Sequence, residues 1–196
     1  MQLRYSFRIE PSPAQRIVLS RAFGCARTVW NDCLRARKDA QAAGIPYPTP
    51  AELSKRFITE AKKTSERAWL SEVSAVVLQQ SLRDLIATYS NLSASTKGAR
   101  KGPKMGEPRM KSKRDGRQAV RFTANARWSI TADDRLSLPK IGAVRVRWSR
   151  ALPSAPSTVT ITKDAADRYW ASFVVETDPA ADALPLRREN RGWISA

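Results

Sequence analysis

The strongest chemistry in this chain is cationic. Residues 97–127 read KGARKGPKMGEPRMKSKRDGRQAVRFTANAR and carry eleven Lys/Arg against two acids. The whole chain has 35 Lys+Arg against 18 Asp+Glu, a net charge of +17. An excess of this size costs self-repulsion in the folded state, and a polyanionic partner offsets it. Nucleic acid is the expected partner, because the charge is clustered rather than spread. Within the run, Lys97, Arg100, Lys101, Lys104, Arg109, Lys111, Lys113, Arg114 and Arg117 are the candidate phosphate ligands. Each phosphate they neutralise releases condensed counterions, so binding should weaken steeply with salt. Gly98, Gly102, Pro103, Gly106, Pro108 and Gly116 interrupt the run. Its first two thirds are not expected to fold alone, and 97–118 is read as a flexible basic linker that orders along a sugar-phosphate chain.

Other chemistries are poorly supplied. Histidine is absent, which removes the usual general base, the Ser-His and Cys-His pairs and most zinc sites. Cys25 and Cys33 fall on one predicted helix, eight residues and roughly 12 Å apart, too far for a disulfide. They are read as small apolar core residues. Asp133 and Asp134 sit in a predicted turn. Asp164, Asp167, Glu176 and Asp178 fall in turns or at strand ends and make no convincing carboxylate triad for a two-metal site. No metal and no cofactor is expected. No apolar run is long enough to span a bilayer, and the first residues lack the apolar core of a signal peptide. A soluble cytoplasmic protein with no membrane partner is the expectation, associated with the nucleoid when bound.

The elements that must carry the cations can be read from periodicity. In MQLRYSFRIEPSPAQ, Leu3, Tyr5, Phe7 and Ile9 alternate with Gln2, Arg4, Ser6 and Arg8, the period of a β-strand. Ser12, Pro13 and Gln15 then form a cap, first-turn proline and capping box. Residues 13–43 read as helix, with Gly24 as a candidate break or close-approach point. A second capping box at Thr49, Pro50 and Glu52 starts a helix to about residue 63, and another helix is expected over 72–93. On that last helix Leu78, Leu82, Leu85, Tyr89 and Leu92 form the buried stripe, and Gln79, Gln80 and Arg83 lie on or beside the polar side. Strand signals return only after Gln118, in AVRFT, WSITADDRLSLP, AVRVRW, STVTITK and YWASFVVE. A lone opening strand cannot satisfy its backbone, so it must pair with these. The predicted fold class is α+β: an antiparallel β-barrel split after its first strand by an α-helical insertion. Arg4, Arg8, Arg145 and Arg147 would face outward from it beside the basic linker, with Arg145 and Arg147 as further candidate phosphate ligands.

FRIEPSPAQ, followed by FGCARTVWN at 23–31, resembles the opening of the TnpB (OrfB) family of insertion-sequence proteins. LQQSLRDL at 78–85, RFT at 121–123, LPKIGAVRVR at 138–147 and VTITKDAADRYWASFVVE at 159–176 resemble later blocks of that family, in the same order. The family comprises RNA-guided DNA nucleases related to type V CRISPR effectors. The resemblance implies residues 1–10 as the first strand of a wedge-like, OB-like barrel, and 11–96 as a helical recognition lobe with a helix-turn-helix. It places 119–178 as the rest of the barrel. Guide RNA and double-stranded DNA are the implied partners, with Gln79, Gln80, Thr123 and Asn125 as candidate readers of a target-adjacent motif, since Gln and Asn can bond adenine edges bidentately. A RuvC-like nuclease domain follows in the family. Here the sequence runs on as TDPAADALPLRRENRGWISA without a GIDLG-like strand, and 179–196 reads as a tail foreign to the family. The expectation is a nucleic-acid-binding, N-terminal portion that does not itself cleave, with a RuvC-bearing partner chain as one route to activity. A nuclease-dead DNA-binding repressor and a nonfunctional remnant are the alternatives.

Overall fold

The structure is a computed structural model that describes residues 1–177 of the 196. Its opening strand, β1 (Gln2–Glu10), is central to a sheet that the rest of the chain completes. The other strands are β2 (Gln118–Thr123), β3 (Ser129–Ile130), β4 (Arg135–Leu138), β5 (Gly142–Arg147), β6 (Thr158–Lys163) and β7 (Tyr169–Glu176). They are antiparallel throughout, in the order β2-β6-β7-β1-β5-β4-β3. β1 pairs with β7 along nearly its whole length, from Gln2 opposite Glu176 to Ile9 opposite Tyr169. It pairs with β5 only at its far end, where Arg8, Ile9 and Glu10 oppose Arg147, Val146 and Arg145.

The sheet curls. β3 and β7 are four strand steps apart, about 19 Å across a flat sheet. Yet Trp128, next to β3, has its ring centroid 6.0 Å from that of Phe173 on β7. Trp148 also stacks on Phe173 and lies 4.7 Å from Phe7. The rolled inner face holds Phe7, Ile9, Leu136, Val144, Val159, Ile161, Ala171 and Phe173, all buried. Alternation puts the polar residues of the same strands outside. Among the described residues, β2 and β3 each pair on one side only.

Between β1 and β2 lie the helices. α1 (Pro13–Ala42) starts at the predicted capping box: Ser12 Oγ accepts from the Gln15 amide at 3.3 Å, and Gln15 Oε1 accepts from the Ser12 amide at 2.9 Å. Gln15 also donates to the Ala143 carbonyl at 2.9 Å, so the cap ties the helix to β5. The helix runs unbroken through Gly24, and a Cβ there would meet only the tip of Arg27 at 3.8 Å. Gly24 is therefore neither a break nor a close-approach point. α2 (Pro50–Ser54) follows the second capping box, then unwinds to a π turn over Lys55–Glu60 and tightens over Ala61–Lys63.

α3 (Ala75–Thr96) packs on α1 and on β2 at once. Its buried residues are Val77, Leu78, Gln80, Ser81, Leu82 and Leu85, a band wider than one partner would need. The Ser81 hydroxyl donates to the Ala26 carbonyl of α1 at 2.6 Å, a crossing that small residues permit. Of the predicted stripe, Leu78, Leu82 and Leu85 are buried while Tyr89 and Leu92 are only half-buried, and two-sided packing also draws Gln80 inside, where it is 5% exposed. The placement of Gln80 on the polar side is corrected on that ground.

Phe122 on β2 is fully buried, on the same face as Val159 and Phe173 across the sheet. Replacing it with alanine should cost about 3–5 kcal/mol. Urea unfolding would show this as a lower midpoint; an unchanged midpoint would contradict a packing role for Phe122.

Candidate nucleic-acid interface

The basic segment between α3 and β2 has no helix or strand, yet it follows a defined path. The Met105 amide donates to Ser95 Oγ at 3.0 Å, and Pro108 is buried. The Trp30 indole N–H donates to the Arg109 carbonyl at 3.0 Å. One residue on, Asn31 Nδ2 donates to the Lys111 carbonyl at 2.9 Å, and Asn31 Oδ1 accepts from the Lys111 amide at 2.8 Å. Asp115 accepts from the Ser112 amide at 2.8 Å, and Gln118 donates to the Lys113 carbonyl at 3.1 Å. These are chiefly backbone anchors, and they leave the cationic side chains outward. Lys97, Arg100, Lys101, Lys104, Arg109, Lys113, Arg114 and Arg117 are exposed, and none forms an ion pair among the described residues.

Lys111 differs. Its ammonium sits 3.6 Å from the centroid of the Trp30 ring. Burial of the amine lowers its pKa against the pull of Asp84 and Asp115. The residue is exposed like its neighbours, but its ammonium lies over a ring of α1 and serves as a cation–π contact of the fold.

The outer face of the sheet adds a second group. Arg8 lies opposite Arg147 and Glu10 opposite Arg145, which in turn faces Arg135. Glu10 is an ion-pair partner of Arg147 and lies 3.7 Å from Arg145. Two guanidiniums share Glu10, and Arg135 pairs with Asp133 at 2.9 Å, so the row stays positive but Arg135, Arg145 and Arg147 are not free in the way the segment's cations are. Arg4 and Arg8 are exposed further along β1.

A cleft of about 320 Å³ joins the two groups. It opens between α1, α3, the basic segment and β2, and its charged lining is Arg4, Arg27, Asp84, Lys111, Asp115, Arg117 and Arg121. Arg121 on β2 donates to Asp84 on α3 at 2.6 Å. Burial raises the Asp84 carboxyl pKa, opposed by Arg121 and Lys111. Apart from that pair, Arg4, Arg27, Lys111 and Arg117 outnumber Asp115, so the cleft is electropositive.

The four candidate base readers are not brought together. Gln79 turns toward α2 and donates to Ser54 Oγ at 2.9 Å. Gln80 is buried and presents no edge to a base in this arrangement. Thr123 ends β2 and donates its hydroxyl proton to Asn125 Oδ1, and Asn125 is exposed. Trp30, Asn31, Arg27 and Arg121 are the site residues that the sequence reading did not single out. Alternation places Arg121 on the outer face of β2, but nothing local announces that Asn31 will meet Lys111 eighty residues on.

Among the described residues no group of three or more His, Cys, Asp or Glu could hold a metal ion, and no helix is long and apolar enough to cross a membrane. Burial, then the nearby Glu72 charge, pushes the Cys25 thiol up to about 11, and burial with Asp32 pushes Cys33 up to about 12. Both are protonated, buried thiols. Asp178 and the 179–196 tail lie outside the described residues.

A sequence profile described as a helix-turn-helix domain of OrfB proteins of the IS605 type matches residues 1–45, which here comprise β1 and α1. A Streptomyces pristinaespiralis protein described as "Putative RNA-guided DNA endonuclease" is 36% identical over 179 residues, covering 88% of this chain and 41% of that protein. The chain belongs to the TnpB/OrfB family. InsQ of Escherichia coli K12, a family protein with the same description, is 27% identical over 184 residues, covering 92% of this chain and 42% of its own length. The chain thus spans about two fifths of the length of the curated family members it matches.

One turn on this family scaffold makes a pH prediction. Asp164, between β6 and β7, accepts from the amides of Ala166 and Arg168, from Arg168 Nε and from the Trp170 indole. The Arg168 backbone bond foremost, with the Trp170 and Arg168 side chains, holds its carboxyl down from 3.8 to about 2. A carboxyl with a depressed folded-state pKa stabilises above its unfolded value, and that stability is lost as pH falls through the folded value. Asp164→Asn should therefore be less stable than wild type at neutral pH, with a shallower decline between 3.8 and about 2. Parallel acid-unfolding curves would remove Asp164 from the account.

Proposed function

We propose that this part of the chain is a nucleic-acid-binding scaffold of an RNA-guided TnpB-type protein, gripping guide RNA and target-adjacent DNA through phosphates. The observation that carries the reading is the band of exposed, unpaired cations on residues 97–117, anchored through its backbone and leading into the electropositive cleft beside β2. A phosphate chain entering the cleft meets Arg117, Arg27 and Arg4. One running across the sheet's outer face meets Arg8 and the Arg147–Arg145–Arg135 row. On this reading the curled sheet is the wedge-like barrel, and the helices between β1 and β2 are its recognition insertion. Asn125 and Thr123, at the exposed end of β2, are better placed for base contact than Gln80.

Phosphate contacts fix register and supply affinity, whereas base edges carry sequence. The geometry is rich in the first and sparse in the second, as suits a protein whose sequence reading is delegated to a guide. In this proposal residues 1–177 bind and do not cut. Strand scission belongs to a RuvC-type site elsewhere in the complete family architecture or on a partner chain.

The test is a neutralised variant, Lys101, Lys104, Lys113 and Arg114 each replaced by Gln. All four side chains are exposed and outside ion pairs, so far-UV circular dichroism should not change. Lys111 is left in place because its contact with Trp30 belongs to the fold. Affinity for a mixed-sequence single-stranded RNA should fall by at least about tenfold at moderate salt. The slope of log K against log salt should become shallower by roughly 3, near 0.7 per lost phosphate contact on a single strand. An unchanged slope would reduce the segment to a solvated connector.

A further inference from the structure

The two-residue step Trp30-Asn31 on α1 holds the basic segment by its backbone, and no cation takes part in that hold except Lys111. The Asn31 amide makes both bonds that a neighbouring β-strand would make to Lys111, at 2.9 Å and 2.8 Å. The Trp30 indole takes the Arg109 carbonyl at 3.0 Å, and its ring takes the Lys111 ammonium. Four contacts therefore converge on two residues, Arg109 and Lys111, of a segment with no helix or strand of its own. Arg109 is exposed on one side of the clamp, and Lys113, Arg114 and Arg117 follow directly after it.

We infer that Asn31 is a positioning residue for phosphate binding: it fixes Lys111 so that the flanking cations are presented in register before nucleic acid arrives. This rests on the nucleic-acid reading above. A free segment would lose conformational entropy on ordering along a phosphate chain, and that loss would be subtracted from its affinity. The clamp places much of the loss in folding instead. Asn31 contributes no charge, so its effect should differ in kind from that of a lysine. Removing a cation changes how many counterions are released, hence the salt slope. Removing the clamp leaves the number of phosphate contacts alone and lowers affinity equally at every salt concentration.

Asn31→Ala tests this in the full chain. Alanine is the best helix former, so α1 should persist. Losing that pair of hydrogen bonds sets the expected loss at roughly thirtyfold in affinity for mixed-sequence single-stranded RNA, about 2 kcal/mol. The plot of log K against log salt should shift down in parallel with wild type. Hydrogen exchange at the Lys111 amide should accelerate, since that proton is bonded to Asn31. Asn31→Gln keeps the amide on a longer stem and should recover part of both effects. Wild-type affinity in Asn31→Ala, with the Lys111 amide deprotected, would overturn the inference while leaving the nucleic-acid reading intact. A shallower slope would overturn it too, by showing a lost contact rather than lost positioning. Absence of salt-sensitive RNA binding by the wild-type chain would remove the underlying reading itself.

Discussion

The structure depends on the β1–β7 ladder. Residues Gln2 to Ile9 pair with Tyr169 to Glu176, so the first and last described strands are neighbours. That pairing buries Phe7 and Ile9 against Phe173 and Ala171 on the inner face. It also requires everything between residues 11 and 117 to leave the sheet and return at its β2 edge. The helices are consequently not free to sit anywhere. The Gln15 side chain ties the start of α1 to β5, and Arg121 with Asp84 ties α3 to β2. A loss-of-pairing change in β1 would therefore loosen the electropositive cleft as well as the sheet.

The same pairing sorts the charges. Strand alternation sends apolar residues into the roll and arginines out of it, so Arg4 and Arg8 share a face with Arg145, Arg147 and Arg121. Glu10 partly compensates the row at one end and Asp84 holds Arg121 at the other. The segment cations have no such partners among the described residues. Repulsion is tolerated in the folded state because those side chains are exposed, where solvent and salt screen them. Bringing polyanion to that surface replaces screening by direct contact, and this is the physical basis of the proposed grip.

Much of this was legible in the sequence. Both capping boxes, the strand alternation in 2–10 and 144–147, and the turns at Asp133–Asp134 and Asp164–Arg168 rest on local rules, and each is found in the structure. What escaped reading was set by tertiary packing. Gly24 stayed helical because nothing crowds it, and Gln80 was buried because α3 packs on two partners instead of one. The basic run reads as a flexible linker from composition alone. Its anchoring needs Trp30, Asn31 and Ser95, whose partners lie at separations of ten to eighty residues. Hydrogen bonds from side chain to distant backbone leave no periodic trace, so a single sequence does not display them.

The most direct test of the central claim is lysine-reactivity footprinting of the wild-type chain with and without mixed-sequence single-stranded RNA. Lys97, Lys101, Lys104 and Lys113 should lose reactivity on binding, while Lys55 and Lys63 on the turn after α2 should keep theirs. Equal protection of all these lysines, or protection confined to Lys55 and Lys63, would contradict it.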